Sequence, residues 1–369
     1  MTNSSSPLLL IGVGGAGCSI ARGINRASGE GLRHILADTD ATTGSIGEPF
    51  ILLGGERLSG HGSGGDIAQA GLAAEDSLLA FDSELEGVRL AVIVTALGGG
   101  TGAGATHAIC KHLHERGVPT LVFATLPFAF EGEERQRNAV GVTNSIAEEA
   151  SASLFIPLDK LIGDADVMEE ALRRAVDTLA SGITLFWRLI AKPGYIKLDT
   201  ERVRQIISHA GNGRFAVATA QGPNRSVEIV DTLSRAPTLV AGAGTVRSIL
   251  CGVLAGEDLR LSEIGKVADG IRSAFGERCT FDLATVNDEQ TFSGRLSVVV
   301  LLFEASADES SAAGTAVLPG GKRPRRNTKS QPLAALQARG RFVNVAPTVW
   351  RGENLDTPTF IRRNITLDI

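Results

Sequence analysis

Two stretches of this chain repeat one design. An apolar run of strand length breaks into glycines and then opens a segment with helical composition. Residues 7–13 (PLLLIGV) run into Gly12-Val-Gly14-Gly-Ala-Gly17, and Arg89–Ala96 (RLAVIVTA) runs into Gly98-Gly-Gly-Thr-Gly-Ala-Gly104. Glycine serves such a turn because the missing Cβ permits positive φ and close approach of the backbone to a neighbour or a ligand. The alternation continues, with strands expected at Arg33–Ala37, Thr120–Thr125 and Leu154–Ile156 and helices at about 16–27, 102–116 and 133–150. Strand, loop, helix, repeated, predicts an α/β fold with a Rossmann-like parallel sheet covered by helices on both faces. The apolar runs suit strands buried on both sides. Residues 54–66 hold six glycines and read as a loop.

The pattern changes at residue 167. Residues 167–191 form one long helical stretch, ended by Pro193-Gly194. Beyond it, Phe215–Ala220, Thr245–Leu254, Thr280–Val286 and Leu296–Phe303 read as strands, and 224–235 and 261–275 as helices. The expected organisation is an N-terminal α/β domain carrying both glycine loops at 1–166, a central helix at 167–192, a C-terminal α+β domain at 193–305, a disordered linker at 306–353 and a terminal peptide at 354–369. Phe186 and Trp187 are expected in the core between the two domains.

Charge follows the same division. From Ser310 onward there are ten Lys/Arg and three Asp/Glu, whereas residues 1–309 carry 26 basic and 38 acidic residues. An acidic body argues against specific nucleic-acid binding. The basic linker (Lys322, Arg323, Arg325, Arg326, Lys329, Arg339, Arg341) reads as a solvated tether or as a weak attraction to anionic lipid. Cys18, Cys110, Cys251 and Cys279 are too scattered for a disulfide framework or structural zinc. His107, His112 and His114 fall on one helix without a third ligand, so no metal site is expected. Leu8–Val13 is too short for a signal peptide or a membrane span, and a cytoplasmic protein is expected.

The glycine loops carry the chemistry. Gly12-Val-Gly14-Gly-Ala-Gly17 is a GxGxxG, and Asp38 lies 21 residues past Gly17 at the end of the second strand. By itself this suits a dinucleotide-binding oxidoreductase, or a tight turn with no ligand. The second loop on a second strand adds what a hydride-transfer enzyme does not need: polyphosphate held from two sides. No GK[ST] occurs, so phosphate charge falls to backbone amides, Thr101 and a divalent cation. Cys18 at the helix start reads either as a reactive thiol or as a small packing residue.

At GGGTGAG the chain resembles the tubulin/FtsZ superfamily, over about residues 7–305 and again at 355–363. The resemblance implies GTP or GDP with Mg²⁺, bound by Gly14, Gly15, Ala16, Gly17, Cys18, Ser19 and Asp38 and by Gly98, Gly99, Gly100, Thr101, Gly102, Ala103 and Gly104. Gly60–Asp66 stands where a γ-phosphate-sensing loop belongs. Pro127–Arg135 resembles the sugar loop, which implies Glu131 at the ribose and Arg135 near the base or phosphates. Lys192–Arg204 resembles the loop that one subunit inserts into its neighbour's site, which implies head-to-tail filaments, hydrolysis at the interface and a role in the bacterial division ring. Leu355, Pro358, Phe360, Ile361 and Arg362 resemble a peptide that docks on membrane-tethering division adaptors.

Three positions depart from the family pattern. Leu158 and Val176 stand where the family carries polar residues that read guanine, and Asp177 either reaches the base from one residue further on or is solvated. On the inserted loop Asp199 is an expected acid, but Arg202 replaces the second, with Glu201 beside it. Either Asp199 and Glu201 orient the attacking water, or the chain is a nucleotide-dependent scaffold with little hydrolysis. Arg202 itself reads as an arginine finger or as a surface residue.

Overall fold

A computed structural model describes residues 7–28, 32–161, 167–192, 194–208, 210–240, 246–276, 279–305, 349–350 and 353–354. Those up to 305 belong to one compact unit and the last four to a second. The first unit is built on ten strands: β1 (Leu8–Val13), β2 (Arg33–Asp38), β3 (Phe50–Leu52), β4 (Leu90–Ala96), β5 (Thr120–Leu126), β6 (Ala152–Pro157), β7 (Ala210–Gln221), β8 (Val246–Ala255), β9 (Thr280–Asn287) and β10 (Arg295–Ala305). Its helices of eight or more residues are α1 (Gly14–Ser28), α2 (Ile67–Glu75), α3 (Gly100–Glu115), α4 (Glu133–Glu149), α5 (Met168–Ala191), α6 (Thr200–Ile207), α7 (Arg225–Ser234) and α8 (Leu261–Phe275).

All ten strands share one sheet, in the order β3-β2-β1-β4-β5-β6-β7-β10-β8-β9. From β3 to β7 every pairing is parallel; β10 runs antiparallel to both β7 and β8, and β8 and β9 are parallel. The fold is mixed α/β with a parallel-dominated sheet. The chain winds outward from β1 to β2 and β3, then returns to place β4 on the other side of β1. Such a reversal leaves a crevice at the carboxyl ends of the two strands, the usual place for a ligand in open α/β sheets.

Strand alternation sorts the core. Leu8 and Leu10 pack with α5 residues such as Leu179, Ile183 and Phe186, while Leu9, Ile11 and Val13 pack with Ala105, Ile109 and Leu113 of α3 on the other face. A third cluster joins β8 and β10 to α7 and α8 through Ile229, Ile249, Val267 and Val298. The β6–β7 ladder, with Ser153 opposite Asn212 and Leu154 opposite Gly213, carries the sheet from one expected domain into the other. Across that joint Phe123 meets Phe215 edge-on at 5.5 Å and Phe186 at 6.4 Å.

The sequence reading missed several elements. β3 and α2 are short and weakly patterned, α6 carries Val203, Ile206 and Ile207 at helical spacing over only eight residues, and β7 begins at Ala210 rather than Phe215. The glycine-rich 54–66 stretch leads into α2, whose start Asp66 caps by accepting the Gln69 N–H at 3.0 Å. In the second unit β11 (Val349–Trp350) pairs antiparallel with β12 (Glu353–Asn354). Apart from those four residues, the linker and the peptide residues Leu355, Pro358, Phe360, Ile361 and Arg362 lie outside the described residues.

α5 can lie close to β7 only because position 182 is glycine. A methyl built there would stand 1.9 Å from Cζ of Phe215. Gly182→Ala is therefore expected to lower stability by about 1–3 kcal/mol in chemical denaturation. An unchanged midpoint would contradict this packing of α5.

Candidate functional site

The site begins where β1 and β4 stop. Gly14 follows β1 with φ +74°, a conformation that L side chains rarely adopt, and α1 starts there. Four loop glycines serve packing. A Cβ at Gly17 would stand 2.4 Å from the Val94 carbonyl oxygen, at Gly100 2.4 Å from Ser63 Oγ, at Gly102 2.0 Å from the Ala96 carbonyl oxygen, and at Gly104 2.1 Å from the Ile67 carbonyl oxygen. Gly15 and Gly99 are different: the nearest atom to a Cβ at Gly15 is Asp38 Oδ2 at 3.7 Å, and nothing lies within 4 Å of one at Gly99. The two turns are tied from below by Thr95, whose Oγ1 is 3.3 Å from the Val13 carbonyl and 3.1 Å from the Gly102 carbonyl. Across the top the Thr39 and Thr101 hydroxyls meet at 2.7 Å.

Between the turns opens a cavity of about 620 Å³. Of the residues expected at a nucleotide, Gly14, Gly15, Ala16, Asp38, Gly98, Gly99, Gly100, Thr101, Gly102, Glu131, Arg135 and Val176 line it. Thr39 and Asp40, which follow Asp38, also line it, as do His61 and Ser63 of the Gly60–Asp66 loop. The Gly60–Asp66 loop does reach the site: Gly62, Ser63, Gly64 and Gly65 are on the wall.

Arg135 is the Lys/Arg side chain lining the cavity among the described residues, and its Nη1 donates to Glu131 Oε2 at 2.6 Å. Positive potential therefore comes chiefly from the exposed N–H groups at the starts of α1 and α3. Asp38 accepts the Thr39 N–H at 2.7 Å and the Thr43 hydroxyl at 2.7 Å. Asp40 accepts the Thr42 hydroxyl and amide, which hold its carboxyl below the usual range. Among the described residues no group of three or more acidic, His or Cys side chains could cage a metal. A magnesium ion carried on phosphate oxygens needs no such cage, and Asp38 and Asp40 would be the carboxylates facing it.

Several expected site residues lie elsewhere. Cys18 is fully buried with its thiol near the Gly12 and Ala37 carbonyls at 3.4 and 3.7 Å, and burial pushes its pKa up to about 12. It is a packing residue, not a reactive thiol. Ser19 is exposed and its hydroxyl bonds the Gly15 carbonyl at 3.0 Å; Gly17, Ala103 and Gly104 are buried beneath the turns. Asp177 lines a second cavity, of about 550 Å³, with Arg173, Arg188 and Arg295. One helical step therefore separates Val176 on the first cavity from Asp177 on the second.

The loop that carries Asp199 stands at the opposite edge of the sheet. Val176 and Leu179 border the cavity beside Val13, the end of β1, whereas Ile183, Phe186 and Trp187 lie with Leu8, Leu9 and Leu10, its start. α5 thus runs antiparallel to β1, and from Val176 to its end spans about 22 Å. The following loop is anchored to β9: the Gly194 N–H donates to the Thr285 carbonyl at 2.8 Å, and the Ile196 N–H to the Thr285 hydroxyl at 3.0 Å. Arg89, at the entrance to β4, is near enough to act on the Glu201 carboxylate. Tyr195, 80% exposed, projects from this edge.

The three expected catalytic residues are engaged within their own chain. Asp199 caps α6 by accepting the Arg202 N–H at 2.6 Å. Glu201 is forked by Arg204 at 2.9 and 2.7 Å, which holds its carboxyl below the usual range. Arg202 forks onto Asp282 at 2.6 and 3.0 Å. None of the three lines the cavity.

Comparison with known proteins supports the family and the fold. A family model described as "Tubulin/FtsZ family, GTPase domain" matches residues 7–166. The cell division protein FtsZ of Pseudomonas aeruginosa is 32% identical over 289 residues, which cover 76% of this chain and 72% of that protein. Among solved structures, an empty FtsZ dimer from M. jannaschii superposes with a TM-score of 0.74 at 25% identity, covering 80% of this chain and 87% of that one. A GTPγS-bound protofilament of CetZ2 from Haloferax volcanii gives 0.67 at 23% identity, covering 82% and 95%.

The two kinds of glycine predict two phenotypes. Gly102→Ala should destabilise the chain by about 1–3 kcal/mol or more, since backbone blocks the methyl. Gly99→Leu should fold with an unchanged thermal midpoint and lose nucleotide binding, measured by equilibrium dialysis. For Cys18, alkylation with iodoacetamide at neutral pH, located by peptide mapping, should label it only after unfolding; rapid labelling at Cys18 itself in the native chain would contradict its burial.

Proposed function

The chain belongs to the tubulin/FtsZ family, and from that membership we propose that it binds GTP and GDP in this cavity and stacks head to tail into filaments. The next subunit's Lys192–Asp199 loop completes each site. One observation carries the reading: the cavity and the Asp199 loop lie at opposite edges of one sheet, so a single chain cannot bring them together. A contact between unlike ends is heterologous and does not close, which gives a filament. Tyr195 on the loop side would be covered in such a stack.

Within the site, backbone amides of the two turns and the Thr101 hydroxyl bind the phosphates, and Glu131 and Arg135 flank the sugar. Magnesium, carried with the phosphates, would supply charge neutralisation there. Asp199 of the neighbour is the carboxylate that would orient the attacking water. Arg202 is occupied by Asp282 and acts as a positioning residue for α6 rather than as an arginine finger. Glu201 is weakened as a base by Arg204. Hydrolysis is accordingly weak, because loss of one well-placed carboxylate costs ~10²–10⁴-fold. The implied role is the bacterial division ring, with residues 355–363 docking on membrane-tethering adaptors and the basic linker adding weak attraction to anionic lipid. The two ion pairs on the loop favour a second reading, a filament scaffold that binds nucleotide with almost no turnover.

Phosphate release from GTP with Mg²⁺ and pelleting of polymer should both appear only above one threshold protein concentration. Asp199→Asn should keep the pelleting and lower phosphate release by ~10²-fold or more. Polymer without phosphate release from the unmodified chain would select the scaffold reading. Release proportional to concentration without polymer would contradict the shared site.

A further inference from the structure

The far end of the cavity carries an inference that rests on the nucleotide reading and extends it to the base. With the phosphates on the amides of the two glycine turns, the wall at the α5 side is lined, among the described residues, by Ile20, Leu158, Val176 and Leu179. None of these side chains has a hydrogen-bond donor or acceptor. The nearby carboxylates among the described residues are committed or turned away. Asp177 lines the other cavity. Asp159, beside Leu158, accepts the Ala129 N–H at 3.1 Å. Glu131 accepts both Arg135 and, at 2.9 Å, the Phe128 N–H. Thr125 adds one hydroxyl, which donates or accepts and so suits either purine.

Guanine differs from adenine in its edge, not in its ring face. It presents N1–H and N2 amine donors and an O6 acceptor, where adenine presents an N1 acceptor and an N6 donor. A pocket that pairs with such an edge rejects the wrong base by ~10⁴–10⁵-fold, whereas apolar contact discriminates only ~10–200-fold. Leu158 and Val176 can bury the purine face but cannot tell one edge from the other. We propose that this is a purine triphosphate site without guanine selectivity, in which ATP competes with GTP.

The test is equilibrium dialysis of the full chain against labelled GTP and ATP in Mg²⁺ buffer, with inorganic tripolyphosphate as the phosphate-only probe. The expected result is GTP and ATP dissociation constants within about tenfold of each other, both tighter than tripolyphosphate. A preference for GTP of ~10³-fold or more would overturn the proposal and leave the nucleotide reading standing. Binding of neither nucleotide would overturn both. Val176→Asp supplies an acceptor at the wall and should shift the ratio toward GTP by about tenfold or more. An unchanged ratio in that folded variant would mean that position 176 does not border the base, and would overturn the proposal.

Discussion

Everything at the site depends on two helices meeting two strand ends with no side chain between them. α1 lies against Val94 and Thr95 through Gly17, and α3 lies against Ala96 through Gly102. At these positions the contacts are backbone to backbone, and a single methyl has nowhere to go. This closeness brings the N-termini of both helices to one crevice, at the strands where the winding of the sheet reverses. Thr95 holds the two turns together from beneath by reaching both Val13 and Gly102.

The same constraint sets the electrostatics. A crevice made from backbone has amides and helix dipoles to offer, not ammonium groups, and its Arg135 is already paired with Glu131. Such a site recognises phosphate as a class and leaves the identity of the nucleotide to its other walls. Here the wall at the α5 side is, among the described residues, hydrocarbon contributed by α1, α5 and Leu158. On the proposed reading, binding and selectivity are separated: the first is built into the strand ends, the second into one face of α5.

The parts of this design legible in the sequence were those with a local signature. The paired glycine turns, the alternation of strand and helix, and the long helix before Pro193-Gly194 announce themselves within short windows. What remained hidden depended on phase or on distance along the chain. Successive helix residues differ in direction by about 100°, so sequence alone could not separate Val176 from Asp177, which fall on different cavities. Arg202 meets Asp282 across 80 positions, and no local pattern foretells that pairing. Cys18 sits in a phosphate-loop motif, yet its thiol turns inward to Gly12 and Ala37. α2 escaped notice because its apolar period is weak, and its close approach to α3 rests on Gly104, where a Cβ would stand 2.1 Å from the Ile67 carbonyl oxygen and 2.9 Å from the Gly71 nitrogen.

The central claim is that one chain supplies half a site at each end. Mixing two variants tests it most directly: Gly99→Leu, which blocks the cavity, and Asp199→Asn, which disables the loop. Each alone should release little phosphate from nucleotide. An equimolar mixture should recover about a quarter of the unmodified rate, because only a quarter of random head-to-tail contacts join an intact cavity to an intact loop. A mixture no more active than the sum of its parts, beside an active unmodified chain, would contradict the account.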